Sequence, residues 1–363
     1  MNKYLKNYTL LGREIKKEDK LTDKLRHIMK TPALQYLLFG VVMCVIGYLA
    51  TNKILPYSWQ SALATTFSYA IASIGFCLLM GYSGLASLGT GGFIGIGTYA
   101  VHYVMVESGL SFGVALVVAL AVSIIIGLIV GFISLRIEGI YLVILTLALS
   151  EILKTLYAAI EPKLTLSSKH AIIFGMQFPR TASLTLVSVF LVIIMIITTN
   201  LINSPTGRAM LAMKNSTAAA QAMGINLIKY RLMAFVICTA YASITGVLLM
   251  MVVRSADATD PTGYYALITS LNILAAVIIG GFKSVWGAVF GTFIMYGVNL
   301  VVFSQIPFLA KNPLLITLIS GVLVIVIVMF FPGGLAQLLL EAKGKINKLK
   351  QRIKEDKYGK DLG

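Results

Sequence analysis

The sequence predicts an all-α integral membrane protein of about ten transmembrane helices, some short or broken, with both termini in the cytoplasm. Three observations carry this. Of 363 residues 58% are hydrophobic and only 12% charged, with a mean hydropathy of +0.88, far from the balance of a water-soluble domain. The apolar residues fall into runs, each close to the ~20 residues a helix needs to cross a hydrocarbon core about 30 Å thick. The cations gather at the chain ends and in alternate connections, the asymmetry that fixes orientation in a bilayer.

Residues 1–32 form a basic extension whose first thirty positions hold nine Lys and Arg. It is polar, without an apolar stretch leading to a cleavage site, so no removable signal peptide is expected. The first span, Ala33–Thr51, then acts as its own insertion signal. The second is Gln60–Met80, and where it turns into the third, Leu88–Val106, GYSGLASLGTGGFIGIG (Gly81–Gly97) holds seven glycines. Spans four and five are Ser111–Ser134 and Ile140–Ile160, the latter carrying Glu151 and Lys154 in SEILK. A long external connection, 161–181, leads to the sixth span, Ala182–Leu201. A polar cytoplasmic loop, 203–231, precedes Leu232–Val253, Tyr264–Ile279, Trp286–Phe303 and Pro313–Phe331, with GGFKSVWGAVFG between the eighth and ninth. Residues 33–331 make one transmembrane domain, and 332–363 form a second basic tail. Both tails read as amphipathic or loosely ordered helices near the membrane surface.

A net charge of +16 raises nucleic acid as a partner, and the placement of the cations answers it. With ten spans both termini share a side, which collects 23 Lys and Arg against six on the other. Besides the tails that side holds Arg136, Arg208, Lys214, Lys229, Arg231 and Lys283. Positive charge concentrates in cytoplasmic loops, so the tails are assigned to anionic membrane lipid and no nucleic acid is expected.

Several chemistries leave no mark. No G-x-x-x-x-G-K-[ST] loop occurs, so the chain is not expected to cradle nucleotide phosphates. H-E-x-x-H, paired-Cys and G-x-S-x-G motifs are also missing, and His27, His102 and His170 are too dispersed to point to a metal site. No catalytic residue, bound cofactor or metal is expected. Cys44, Cys77 and Cys238 lie singly in apolar spans and read as small core residues. Ionisable residues inside a bilayer mark function. Glu151 and Lys154, at i, i+3, share a helix face and read as a structural ion pair, with a solute-path contact or proton coupling as alternatives. Asp257 and Asp260 are expected to be solvated in an external loop.

The glycines admit two readings. Pairs such as Gly91/Gly95, Gly127/Gly131 and Gly287/Gly291 let membrane helices approach closely. Alternatively, Gly with Ser or Thr permits broken helices whose free backbone groups line a polar pathway. In that case Ser83, Ser87, Thr90 and Ser284 face the pathway, with Glu151 a further candidate.

GRAMLAMKNSTAAAQAMGINLIKYRL, Gly207–Leu232, is the soluble-looking exception. Pro205 suits the start of a short helix reaching about Lys214. Asn215 or Ser216 can cap a second, Thr217–Met223, and Gly224 suits a left-handed stop. The AAAQAM body has almost no bulk, so a partner surface can come close, while Met213 and Met223 offer adaptable apolar knobs. The segment reads as a docking element, or else as an interfacial helix resting on lipid.

GYSGLASLGTGGFIGIGTYA, YLVILTLALSEILKTL, TGRAMLAMKNSTAAAQAMGINLIKYRLMAF and GGFKSVWGAVFGT together resemble the LivM-type permease subunits of branched-chain amino acid ABC importers, in the LivH/LivM and sugar permease superfamily. The likeness extends over most of Gln60–Phe331. It implies that Ala219, Ala220, Met223 and Gly224 belong to a cytoplasmic coupling helix preceded by Gly207 and Arg208. It also implies an inverted repeat relating spans two to five with seven to ten. The partners so implied are two cytoplasmic ATP-binding subunits, a second permease subunit (LivH-like or identical) and an extracytoplasmic solute-binding protein, with ATP and Mg bound in the partners and none by this chain. The implied location is the cytoplasmic membrane of a prokaryote. The implied role is import of a small polar solute, a branched-chain or other amino acid first, with urea, a short amide or a nucleoside as alternatives. A stand-alone facilitator or ion-coupled carrier is the rival class, and a scaffold acting through its basic tails a third. The chain departs from the family where SLGTGGF replaces the usual SLGHAAF, so that Thr90 stands for a His. It also lacks the usual Gly-rich segment after the fifth span, and its N-terminal extension is long.

Overall fold

The computed structural model describes residues 32–51, 56–134, 140–173, 176–260 and 263–302, with isolated positions from 315 to 334. The basic extension before Pro32 lies outside the described residues, as do the tenth expected span and the C-terminal tail apart from those isolated positions. The first nine expected spans each fall on a helix. These are α1 (Pro32–Thr51), α2 (Tyr57–Leu78), α3 (Thr90–Val101), α4 (Phe112–Ser134), α5 (Ile140–Ile160) and α6 (Ser183–Asn203). After two short helices, α7 (Pro205–Asn215) and α8 (Thr217–Ala222), come α9 (Leu227–Val253), α10 (Leu267–Gly280) and α11 (Val285–Thr292). The seventh span thus begins five residues before its apolar run, because the Asn226 side chain accepts from Lys229 N at 3.1 Å and caps the helix early.

Five of these helices are long and apolar enough to cross a membrane, counting a π turn or a 3₁₀ turn where one extends them; shorter apolar segments supply others. Three helices run into π turns: α2 into Leu79–Ser83, α3 into His102–Glu107 and α11 into Phe293–Val302. Such turns often mark functional segments of a helix.

The centre is the crossing of α2 and α9, whose middle turns are buried almost throughout. Thr245 Oγ1 donates to Ser68 O at 3.0 Å across it, and Gly75 lets Tyr241 approach, where a β-carbon would sit 3.0 Å from the tyrosine. A β-carbon on Gly246 would collide with the Ile94 carbonyl, so α3 and α9 cross backbone to backbone. The pairs singled out in the sequence do pack: Gly91 on the Tyr265–Ala266 backbone, Gly95 on Tyr157, Gly127 on Thr239, Gly131 on Leu232 and Phe235, and Gly287 and Gly291 on α10. Helices α4 and α5 are peripheral and leave Val117, Ile125, Ile129, Tyr141 and Ile152 exposed, the apolar exposure lipid requires.

The long connection between α5 and α6 takes part in two small sheets. Strand β1 (Lys163–Thr165) pairs antiparallel with β4 (Ser255–Asp257), Leu164 opposite Ala256, and β2 (Ile172–Ile173) pairs with β3 (Met176–Gln177). Arg254, which ends α9, is buried and donates to Ser168 Oγ and to Phe178 O, each at 2.6 Å. These bonds staple the connection onto the end of the central helix.

Candidate functional site

The elbow formed by α7 and α8 is built by its caps. Pro205 opens α7, and Ser204 accepts from Gly207 N at 3.4 Å. A β-carbon on Gly207 would press into the Ile202 backbone, its carbonyl carbon 2.6 Å away, so only glycine lets α7 fold back against α6. Of the two candidate caps for α8, Ser216 does the work, accepting from Ala219 N at 3.3 Å. Gly224, at φ +78°, provides the left-handed stop, and Ile225 N closes on Ala220 O at 3.0 Å.

The residues implied by the resemblance divide between two faces. Arg208, Ala219, Met223 and Gly224 are exposed, Met223 by 83%, whereas Gly207 and Ala220 are buried. Met213, expected as an outward knob, is buried instead. Met210, on the same face of α7, packs on Leu78, Leu79 and Phe235. A bulky apolar side chain turns inward wherever a core is within reach.

Sequence reasoning missed the residue that ties the elbow to the spans. Lys214 donates its Nζ to Met80 O at 3.1 Å and to Gly81 O at 2.9 Å, in the π turn that ends α2. Burial, and then the nearby Lys283, hold its ammonium pKa below the usual lysine value. The Gly280–Ser284 turn meets the same spot, where Tyr82 donates to Lys283 O at 3.0 Å and Cys77 Sγ lies 3.1 Å from Phe282 O. Three stretches far apart in sequence converge there. The only sequence signal was a lysine in the last turn of a helix.

From the irregular stretch after α2 into the first turn of α3, backbone N–H groups are satisfied by side chains from other helices. Leu88 N donates to Thr146 Oγ1 at 3.0 Å, Gly91 N to Ser270 Oγ at 2.9 Å and Gly92 N to Ser150 Oγ at 2.9 Å. Thr146, Ser150 and Ser270 were not legible beforehand, since a hydroxyl in a helix usually bonds its own backbone. Ser83, Ser87 and Thr90 are all buried here, and Ser83 Oγ has no hydrogen-bond partner. Ser87 Oγ accepts from Gly89 N at 3.3 Å. Ser284 stands apart from them as the cap of α11, accepting from Gly287 N at 3.0 Å. Glu151 and Lys154 are half-buried on α5 and do not close the expected ion pair; the ion pairs among the described residues are His102–Glu161 and Lys163–Asp257. An i, i+3 pair of partly exposed side chains gains too little from pairing to offset the entropy of fixing both.

On the far side a cavity of about 460 Å³ is lined by Tyr69, Lys163, Asp257, Asp260 and Tyr264 among others. Asp257 is less free than expected. Its carboxylate accepts from Thr259 N at 2.8 Å and Thr259 Oγ1 at 2.6 Å, and Lys163 Nζ is 3.7 Å away. Those hydrogen bonds, with Lys163 adding, hold its pKa below the ordinary carboxylate value. A second cavity, about 500 Å³ between α1 and α6, is lined by apolar side chains such as Leu37, Val41 and Ile193 and offers nothing to a polar solute. Of the three histidines, His102 meets Glu107 and Glu161, one donor atom from each lying within 4.8 Å of the others, because folding joins the C-terminal ends of α3 and α5.

A family model described as branched-chain amino acid transport system / permease component matches residues 59–329. The chain belongs to this family. It is therefore a transport permease component rather than an enzyme, and a multi-pass integral protein of the cell membrane. The high-affinity branched-chain amino acid transport system permease protein LivM of Escherichia coli (strain K12) is 27% identical over 63% of this chain and 60% of its own length. LivM of Salmonella typhimurium is 28% identical over 60% of this chain and 57% of its own length. A probable branched-chain amino acid transport permease protein LivH of Methanocaldococcus jannaschii is 29% identical over 41% of this chain and 44% of its own. The matched part thus spans about 60% of the length of the LivM relatives. No solved structure matches the chain. The family match covers α2 through α11, the elbow included.

Proposed function

We propose that the chain is the permease subunit of an ABC importer, moving a small polar solute, a branched-chain or other amino acid, on ATP hydrolysed with Mg in two cytoplasmic partner subunits. In this reading it has ten spans, cytoplasmic termini, an inverted repeat and a second permease subunit. A solute-binding protein delivers the solute to the outer cavity. The observation that carries the reading is the elbow. α7 and α8 form a capped, small-faced projection held between α6 and α9, and Lys214 bonds it to the end of α2. A partner that closes on ATP moves the exposed Arg208, Ala219, Met223 and Gly224. The displacement passes as a rigid-body shift to α6, α9 and the α2 turn beside Ser83, Ser87 and Thr90.

The outer cavity supports an amino acid over the alternatives, since its lining carries charge of both signs, Lys163 beside Asp257 at 3.7 Å together with Asp260, as a zwitterion requires. The rival, an ion-coupled carrier gated by Glu151 and Lys154, gains no support from a pair that does not close.

The test is an affinity pull-down of the full chain from gently solubilised native membranes, comparing wild type with Ala219→Trp and Gly224→Trp. Both positions are exposed, so bulk at Ala219 falls on the partner; at Gly224, where φ is +78°, a side chain also strains the left-handed stop, and Ala219→Trp is therefore the variant that decides. An ATPase subunit recovered with wild type and lost with both variants is the expected result. Wild type arriving without an ATPase subunit, yet carrying solute alone in liposomes, overturns the reading in favour of a stand-alone carrier.

A further inference from the structure

The outer ends of α3 and α5 carry a cluster to which the transport reading above assigns no role. His102 opens the π turn extending α3, Glu107 closes it, and Glu161 is the first residue past α5. A π turn bonds residue i to residue i+5, which brings His102 and Glu107 toward one face; in an α-helix the neighbours are three and four apart. The local geometry thus aligns two side chains that a regular helix would separate. His102 Nε2 stands 3.0 Å from Glu161 Oε2. The imidazole is only 6% exposed, and its Nδ1 is buried without a hydrogen-bond partner. Glu161 is fixed from behind: the Tyr99 hydroxyl contacts the Glu161 carbonyl and donates to Tyr157 O at 2.8 Å. Glu107 is exposed and Glu161 about a third exposed, which leaves an open route from solvent.

We propose that His102, Glu107 and Glu161 form a binding site for a divalent transition-metal ion of the zinc class. Two carboxylates neutralise the ion's charge. The imidazole nitrogen favours a borderline metal over Mg²⁺ or Ca²⁺, which take oxygen donors. Two ligands about 2.0–2.2 Å from one ion stand roughly 3–3.5 Å apart, so the His102–Glu161 spacing already suits a shared ion. Glu107 needs only a rotamer change on an exposed side chain to complete a set of three, and water fills the fourth position. The bound ion ties the outer ends of α3 and α5 together. Just beyond Glu161 lies β1, which pairs with β4 beside the outer cavity, so occupancy stiffens the rim of that cavity. The site itself is independent of the transport reading; only its placement on the extracytoplasmic side rests on it.

The experiment is calorimetric titration of Zn²⁺ into the purified full chain, stripped with EDTA and held in lipid nanodiscs, with metal content counted after desalting. One equivalent is expected in wild type, undiminished by excess Mg²⁺. Glu107→Gln should weaken binding about tenfold or more, the scale typical even of outer-shell partners, and His102→Gln should abolish it. Glu107 is exposed, so its variant keeps the fold and decides the matter even where His102→Gln does not fold. Absence of Zn²⁺ binding by wild type overturns the proposal, as does binding unchanged in both Glu107→Gln and Glu161→Gln. A Co²⁺ complex showing thiolate charge transfer would assign the metal to cysteine and overturn it equally. The ATPase pull-down is read separately, so failure of this site leaves the importer reading to its own test.

Discussion

At Gly246 a single methyl decides whether two spans can cross. Its added β-carbon would strike the Ile94 carbonyl, and backbone cannot swing aside as a side chain can. Gly246→Ala is expected to destabilise the folded chain by about 1–3 kcal/mol, read as an earlier midpoint in denaturant titration of the purified protein, while Gly113→Ala, with open space around it, should change nothing measurable. Asp257 gives a pH test. Its carboxyl pKa is depressed in the folded protein by the Thr259 hydrogen bonds and by Lys163, so its contribution is present above the unfolded value of about 3.9 and lost as pH falls through the lower folded one. Wild type should therefore lose more stability than Asp257→Asn when pH drops below about 4; parallel pH profiles would contradict this. At this scale the sequence was partly readable. The close-packing glycines and the Gly224 stop were visible as spacing and type. The hydroxyls of Thr146, Ser150 and Ser270 were not, because their partners lie on other helices.

At the scale of elements the elbow is the instructive case. Its two helices, its Pro start and its Gly stop follow local rules and were legible to within a residue or two. Which face looks outward was not: Met213 turned inward, and Lys214, counted only as a cytoplasmic charge, holds the π turn of α2. Lys214→Met keeps the apolar stem and removes both hydrogen bonds. It should leave the ATPase subunit bound but lower transport per ATP hydrolysed by roughly 5–150-fold, the range of a 1–3 kcal/mol coupling. Flux and ATPase activity measured together in proteoliposomes check this, and a parallel fall of both would mean that Lys214 serves stability alone. The π turns were likewise invisible beforehand, since hydropathy does not report a change from i+4 to i+5 bonding.

For the whole molecule, orientation comes from charge and length. With both tails and the elbow on one side, single cysteines at Lys350 and Met223 should react with an impermeant thiol reagent only in inside-out vesicles, and one at Asp260 only in right-side-out vesicles. Lys350 reacting on the same side as Asp260 would exclude ten spans. The sequence alone determined the membrane class, nine of the helices and the family resemblance, because hydropathy, charge asymmetry and glycine spacing act within a few turns of chain. Only the tertiary structure decided that Lys214 reaches Gly81, that Glu151 and Lys154 stay apart, and that His102 meets Glu107 and Glu161. Those outcomes depend on which helix ends are brought together, and that rests on close backbone contacts between helices far apart in sequence, as where Gly97 and Gly246 let α3 cross α9.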